Sequence, residues 1–231
     1  MQSTPYTASG QSTADLTLRQ NRVLRNTYML LALSMLPTAI GALLGVQLNF
    51  SVMAGSPLIS FLLFLAVAWG FMWGIGKNKD SGLGVVLLLA FTLLMGVMLG
   101  PILQVSLGFR NGATLIALAA VGTASIFFAL AGVATVTKKD FSYLGKFLFI
   151  GVILLLVAMV ANIFLKIPAL ALTISAVAVL IFSAYILFDV SRIVTGGEDN
   201  YVVATLSIYL DVYNLFVHLL NLLLAFTGER D

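Results

Sequence analysis

Residues 207–226 read SIYLDVYNLFVHLLNLLLAF, a stretch long and apolar enough to cross a bilayer. About 20 residues at about 1.5 Å each span a hydrocarbon core of roughly 30 Å. Yet the stretch carries an aspartate, two asparagines and the only histidine of the chain. At about 100° of rotation per residue, Ser207, Asp211, Asn214, His218 and Asn221 share one helix face, within a sector of roughly 80°. A charge facing lipid at mid-depth costs roughly 2.5 kcal/mol or more. The stripe therefore has to face the interior of a helix bundle, or water.

The rest of the chain supplies such a bundle. Of 231 residues, 61% are hydrophobic and 9% charged, and the mean hydropathy is +1.08, values that exclude a water-soluble globular domain. Seven mostly apolar runs fall near residues 27–47, 57–75, 83–103, 113–136, 144–165, 168–190 and 201–226. None alternates apolar and polar residues as a transmembrane barrel strand would. Short connections carry breakers, GSP at 55–57, NKDSG at 78–82 and GGEDN at 196–200, and leave no room for a second domain. The expected fold is an all-α membrane protein, a seven-transmembrane-helix bundle over residues 27–228.

Residues 1–18, rich in Ser, Thr, Gln and Ala, bury too little to fold and are expected to form a mobile tail. With Arg19, Arg22 and Arg25 this N-terminal segment is drawn as flexible and cytoplasmic over residues 1–26. The following apolar run has no clear small-residue cleavage site and reads as a retained first span. Basic residues near span ends stay in the cytoplasm. Arg19, Arg22, Arg25, Lys77, Lys79, Lys138, Lys139, Lys146 and Arg192 fall on one side, against Arg110, Lys166 and Arg230 on the other. This asymmetry predicts a cytoplasmic N-terminus and an external C-terminus. The net charge of +3 follows from that topology and gives no reason to invoke nucleic acid. With no cysteine in the chain, disulfides and thiolate metal sites are excluded.

Three spans carry a GxxxG spacing: Gly41 with Gly45, Gly70 with Gly74, and Gly96 with Gly100 before Pro101. Small faces let helix backbones approach closely in lipid, and packing inside one bundle is the expected use, ahead of dimerisation. Trp69 and Trp73 read as interfacial anchors. Lys146, Asn162 and Lys166 read as span-end residues that snorkel or cap.

An intramembrane aspartate needs a partner, and YILFDVSRIVTGG at 185–197 supplies Asp189. If Gly196 and Gly197 cap the sixth span, Asp189 lies roughly 10 Å inside that end. With Asn200 as the N-cap of the seventh, Asp211 lies roughly 16 Å from its start. Antiparallel packing then brings the carboxyls within a turn or so in depth. Two carboxylates in a poorly hydrated place do not both ionise cheaply, so such a pair is expected to share a proton. It would also form a weak site for a hard cation, with Asn214 and backbone carbonyls adding oxygens for Ca²⁺. The blander alternatives are pairing of Asp189 with Arg192, three residues on, a protonated Asp211 hydrogen-bonded to a neighbouring helix, and an interior hydrogen-bonded His218 that ligates nothing.

VLRNTY at 23–28, GPIL at 100–103, MVANIFL at 159–165, PALALTISAV at 168–177, GGEDNY at 196–201 and ATLSIYLDVYNLFVHLL at 204–220 together resemble the Bax inhibitor family of transmembrane proteins. The likeness covers nearly the whole chain and is nearer to the bacterial branch named for the modulator of the protease FtsH. The resemblance implies a seven-helix bundle with the last helix central, surrounded by the other six, in the bacterial inner membrane. It implies that Asp189 and Asp211 match an acidic pair that acts in many members as a pH sensor linked to calcium leak. A basic latch that some members carry on the second span has no counterpart within 57–75, which leaves Arg192 as its candidate substitute.

Two functions follow as expectations, neither an enzyme. One is a regulatory protein that associates with FtsH as a poor, competing substrate. The other is a pH-sensitive calcium leak gated by Asp189 and Asp211, with Ser207, Asn214, His218, Asn221 and Arg192 as interior polar residues; calcium would be cargo, and no cofactor is implied. An intramembrane aspartyl protease fits poorly, because the seventh span reads YLD in place of GxGD and the PAL triplet at 168–170 precedes both acids. A retinal protein is excluded, since that span has no lysine for a Schiff base.

Overall fold

The computed structural model describes residues 13–48 and 57–229. Among them are eight helices: α1 (Thr13–Gln47), α2 (Pro57–Lys77), α3 (Gly82–Met98), α4 (Gly100–Leu107), α5 (Gly112–Thr137), α6 (Leu144–Leu165), α7 (Pro168–Thr195) and α8 (Tyr201–Thr227). With α3 and α4 joined end to end, they make seven segments long and apolar enough to cross a membrane, close to the seven runs read from hydropathy.

Two boundaries differ from expectation, each for a physical reason. Helix α1 already begins at Thr13, so residues 13–26, assigned to the flexible segment, are helical; residues 1–12 lie outside the described residues. No Gly or Pro interrupts residues 13–36. Val23 and Leu24 pack on the core and Thr27 is fully buried, while Arg19, Arg22 and Arg25 stay exposed. The third span breaks at Leu99, between α3 and α4. Pro101 has no N–H to give, and its ring opposes the carbonyl of Val97 four residues back. The chain answers with a tighter turn in which Leu99 N bonds Gly96 O at 3.0 Å.

Helix α8 forms the axis. Its backbone comes close to α1, α2, α3, α4, α5 and α7, whereas α6 packs outside against α7 and, marginally, α2. Five of the six other spans thus surround the last helix, and the fifth span stands in a second layer. Tyr209 ties the axis to two neighbours, with its hydroxyl 2.9 Å from Thr38 Oγ1 of α1 and 3.4 Å from Thr92 O of α3.

The tightest packing joins α1 to α3 and α4, and glycine makes it possible. A Cβ on Gly41 would stand 2.1 Å from Leu93 O, one on Gly96 2.1 Å from Thr38 O, and one on Gly45 2.4 Å from Val97 O. Here the GxxxG spacing packs one bundle internally, as expected. The pair on α2 does not: a Cβ on Gly70 would meet nothing within 4 Å, and one on Gly74 only the end of Leu87 at 3.6 Å. Gln104 of α4 completes the seam by donating to Val46 O and Leu48 O, both at 2.8 Å, which satisfies carbonyls that the end of α1 leaves open.

The span ends follow local chemistry. Asn200 Oδ1 accepts from Val202 N and Val203 N at 3.0 and 3.1 Å, the N-cap read from the sequence. Its Nδ2 donates to Asp80 Oδ1 at 2.8 Å, which fastens the start of α8 to the turn between α2 and α3. Gly196 caps α7 at φ +82°, a conformation that favours glycine. Asn162 Oδ1 accepts from Ile167 N at 3.0 Å beyond the end of α6. Trp69 and Trp73 are exposed, and Lys77 Nζ lies 4.1 Å above the Trp73 ring, an arrangement suited to an interface.

The two kinds of GxxxG pair predict opposite responses. Gly96→Val is expected to destabilise the bundle by on the order of 2–3 kcal/mol, because the new branch meets backbone that has no room to yield. Gly70→Val should leave stability nearly unchanged. Thermal unfolding of both variants in the same detergent checks this; equal melting temperatures would show that the seam tolerates separation.

Candidate functional site

A five-residue connection, 196–200, returns the chain from α7 to α8 as an antiparallel hairpin. Residues at matching distances from the turn therefore come to similar depth. Asp189 and Asp211 are both buried, at 9% and 5% exposure, and their carboxyl groups meet side chain to side chain. Asp211 Oδ2 is buried with no donor among the described residues. Two ionised carboxylates have only acceptors to offer one another, whereas a proton on one turns the contact into a hydrogen bond.

Arg192 stands on the rim of this pair, not in the bundle interior where the sequence placed it. Three residues beyond Asp189 on a helix near its end, its side chain reaches outward and remains one-third exposed. Its Nη1 is 3.9 Å from Asp189 Oδ1, and its Nη2 is 3.5 Å from Glu198 Oε2 and 3.3 Å from Gly197 O. The guanidinium also covers the Phe188 ring at 5.7 Å. Asp189 therefore touches both Asp211 inward and Arg192 outward. Glu198 Oε1 accepts from Asn200 N at 3.0 Å, so the arginine's second partner is itself fixed by the turn.

The remaining polar residues of α8 do not gather at the acids. Asn214 Nδ2 donates to Leu210 O of its own helix at 2.8 Å. His218 Nδ1 lies 3.2 Å from Ser175 Oγ of α7, and its ring stacks at 6.3 Å on Phe182, the interior hydrogen-bonded histidine of the blander reading. Ser207 is half-buried. Asn221 turns away altogether, toward a cleft it shares with α2 and α4.

Sequence reasoning missed Tyr185, which lies close enough to both carboxyls to feel their charge. It precedes Asp189 by four residues, a spacing that puts both on one helix face, so the signal was present. Glu198 stands in the GGEDN turn, and its grip on Arg192 depends on how that turn folds. Among the described residues no group of three or more His, Cys, Asp or Glu side chains gathers. Two carboxyls fall well short of the six to eight oxygens that a resident Ca²⁺ takes.

Comparison with known proteins agrees with this architecture. The family described as inhibitor of apoptosis-promoting Bax1 matches residues 20–228. The modulator of FtsH protease YccA of Escherichia coli K12 is 44% identical over 89% of this chain and 91% of its own length; the same protein of another E. coli strain is called an inner membrane protein. An uncharacterized protein of Neisseria meningitidis serogroup A is also 44% identical, over 92% of this chain and 95% of its own. Seven apolar spans around a polar last helix, a match over residues 20–228 and relatives alike along nine-tenths of their length place this multi-pass membrane protein in the Bax inhibitor family.

Proposed function

We propose that this chain is an inner-membrane regulator of an FtsH-type protease, which it engages as a slow, competing substrate. The observation that carries the reading is the 44% identity, over nine-tenths of both chains, to a protein named for modulating FtsH. The physical character of the chain supports it. A protease that pulls on a substrate needs a segment to grip, and residues 1–12 are mostly small and polar, with only Met1, Tyr6 and Ala8 hydrophobic. Beyond them stands a bundle held by close backbone contact, which resists extraction. Deleting residues 2–12 leaves the described part of α1 intact. The deletion is expected to lengthen the half-life of this protein severalfold and to speed degradation of another FtsH substrate in the same cells. If pulse-chase labelling finds both rates unchanged, the reading fails.

The regulator needs its N-terminus in the cytoplasm, and the charges support that orientation. Arg19, Arg22, Arg25, Lys77, Lys79, Lys138, Lys139, Lys146 and Arg192 lie toward one end of the spans, with Arg110 and Lys166 toward the other. Because the chain has no cysteine, single replacements report cleanly. Asp140→Cys should react with a membrane-impermeant maleimide only in inverted vesicles, and Arg110→Cys only in intact spheroplasts; the opposite pattern would invert the topology.

A second reading, a pH-sensitive calcium leak, is favoured by the Asp189–Asp211 contact. On this reading the acids share a proton when closed, and loss of that proton turns an attractive contact into repulsion that opens a route for calcium. In liposomes, Asp189→Asn and Asp211→Asn should each lower calcium flux at least tenfold and flatten its pH dependence. Flux and pH profile matching the unsubstituted protein would remove the carboxyl pair from the mechanism.

A further inference from the structure

Between α2, α4 and α8 the bundle leaves an open cleft of about 540 Å³, with walls that include Phe61, Phe64, Ile102, Val105, Val217 and Asn221. The break before α4 helps to shape it, because Pro101 stands in the wall directly beyond the interrupted turn. Every described lining residue belongs to a helix long and apolar enough to cross a membrane, which puts the cleft beside hydrocarbon. It lies toward the end of the spans remote from most of the Lys and Arg residues: Val217 is ten residues short of the end of α8 at Thr227, about 15 Å along the axis.

Three of the lining residues are polar: Ser60, Tyr213 and Asn221. The Asn221 carboxamide has no hydrogen-bond partner among the described residues, whereas Asn214, two turns earlier on the same helix, satisfies itself on Leu210 O. A carboxamide facing hydrocarbon without a partner costs on the order of several kcal/mol. The groups that a bilayer can bring to it with an apolar chain attached are the ester carbonyls of its lipids. Aliphatic and aromatic walls receive the chain, and the Asn221 amide N–H is available to donate to the ester.

We propose that the cleft between α2, α4 and α8 binds one acyl chain of an ester-linked phospholipid from the leaflet opposite the Lys- and Arg-rich end, with Asn221 donating to the ester carbonyl. The lipid completes the contact of α2 with the axis, which among the described residues is slight. The site is separate from the carboxyl pair, which lies on the α7 side of α8.

The test uses the full-length protein in liposomes that contain a diacyl phospholipid with a photoactivatable diazirine in its acyl chain. Cross-links are expected to concentrate on peptides holding Phe61, Ile102 and Val217 relative to the lipid-exposed Phe149 and Val157 of α6. Val217→Trp fills the cleft and should abolish that excess. Asn221→Leu keeps the shape and should lower it about five- to tenfold, the value of one lost hydrogen bond. An ether-linked analogue, lacking the carbonyl, should bind the unsubstituted protein as weakly as the ester lipid binds Asn221→Leu. Melting temperatures within a few degrees of the unsubstituted protein show that both variants are folded; if Val217→Trp is not, Asn221→Leu and the ether lipid decide alone. Labelling spread evenly over α6 and the cleft overturns the site, as does protein-to-protein cross-linking there by a second copy. Equal labelling by ether and ester lipids overturns the role of Asn221.

Discussion

A carboxyl group in the middle of a membrane-spanning helix admits few surroundings, and Asp211 has to be given one of them. Hydrocarbon offers it neither charge nor hydrogen bond, so α8 is enclosed and its acidic face is turned to α7, where Asp189 and Tyr185 wait. The rest of the architecture serves this enclosure. Helix α1 can come close to the axis only because it lies so near α3, and that proximity needs glycine at Gly41, Gly45 and Gly96. The sole polar links from the axis to that seam, among the described residues, are the hydroxyl of Tyr209 and the contact of Thr205 Oγ1 with Thr27 O at 3.3 Å. Span α6, with no polar stripe to hide, is left outside.

Much of this was legible before any coordinates. Span number, approximate boundaries, the caps at Gly196 and Asn200 and the meeting of two acids followed from hydropathy, from glycine and asparagine chemistry and from the depth of each residue below a short turn. Three things were not. The start of α1 depends on whether Val23 and Leu24 find a surface to pack on, which composition does not reveal. The fate of each GxxxG pair depends on what faces it, and Gly70 has the same spacing as Gly96 but no neighbour. The polar stripe of α8 also looked uniform on a helical wheel, although Asn221 lies roughly 60° around the helix from His218. That rotation is enough to move it from the α7 side to the cleft.

The carboxyl pair combines two chemistries that are usually separate. Toward the interior Asp189 meets another acid; toward the rim it meets Arg192, at 3.9 Å. Glu198 draws on the same guanidinium. Glu198 and Asn200 thus tie the rim of the pair to the 196–200 turn, and Asn200 ties that turn to the one between α2 and α3.

The parallel course of α1 and α3 has a mechanical meaning. Both run from the Lys- and Arg-rich end toward the other, and Gly41 and Gly45 keep pace with Leu93 and Val97 along the way. A force drawing the N-terminus back along the axis of α1 would load this seam in shear, straining its contacts together instead of peeling them one after another. Shear is the direction in which such a joint is strongest. A machine working from the N-terminus would therefore meet the α1–α3 seam as a whole before any other part of the bundle.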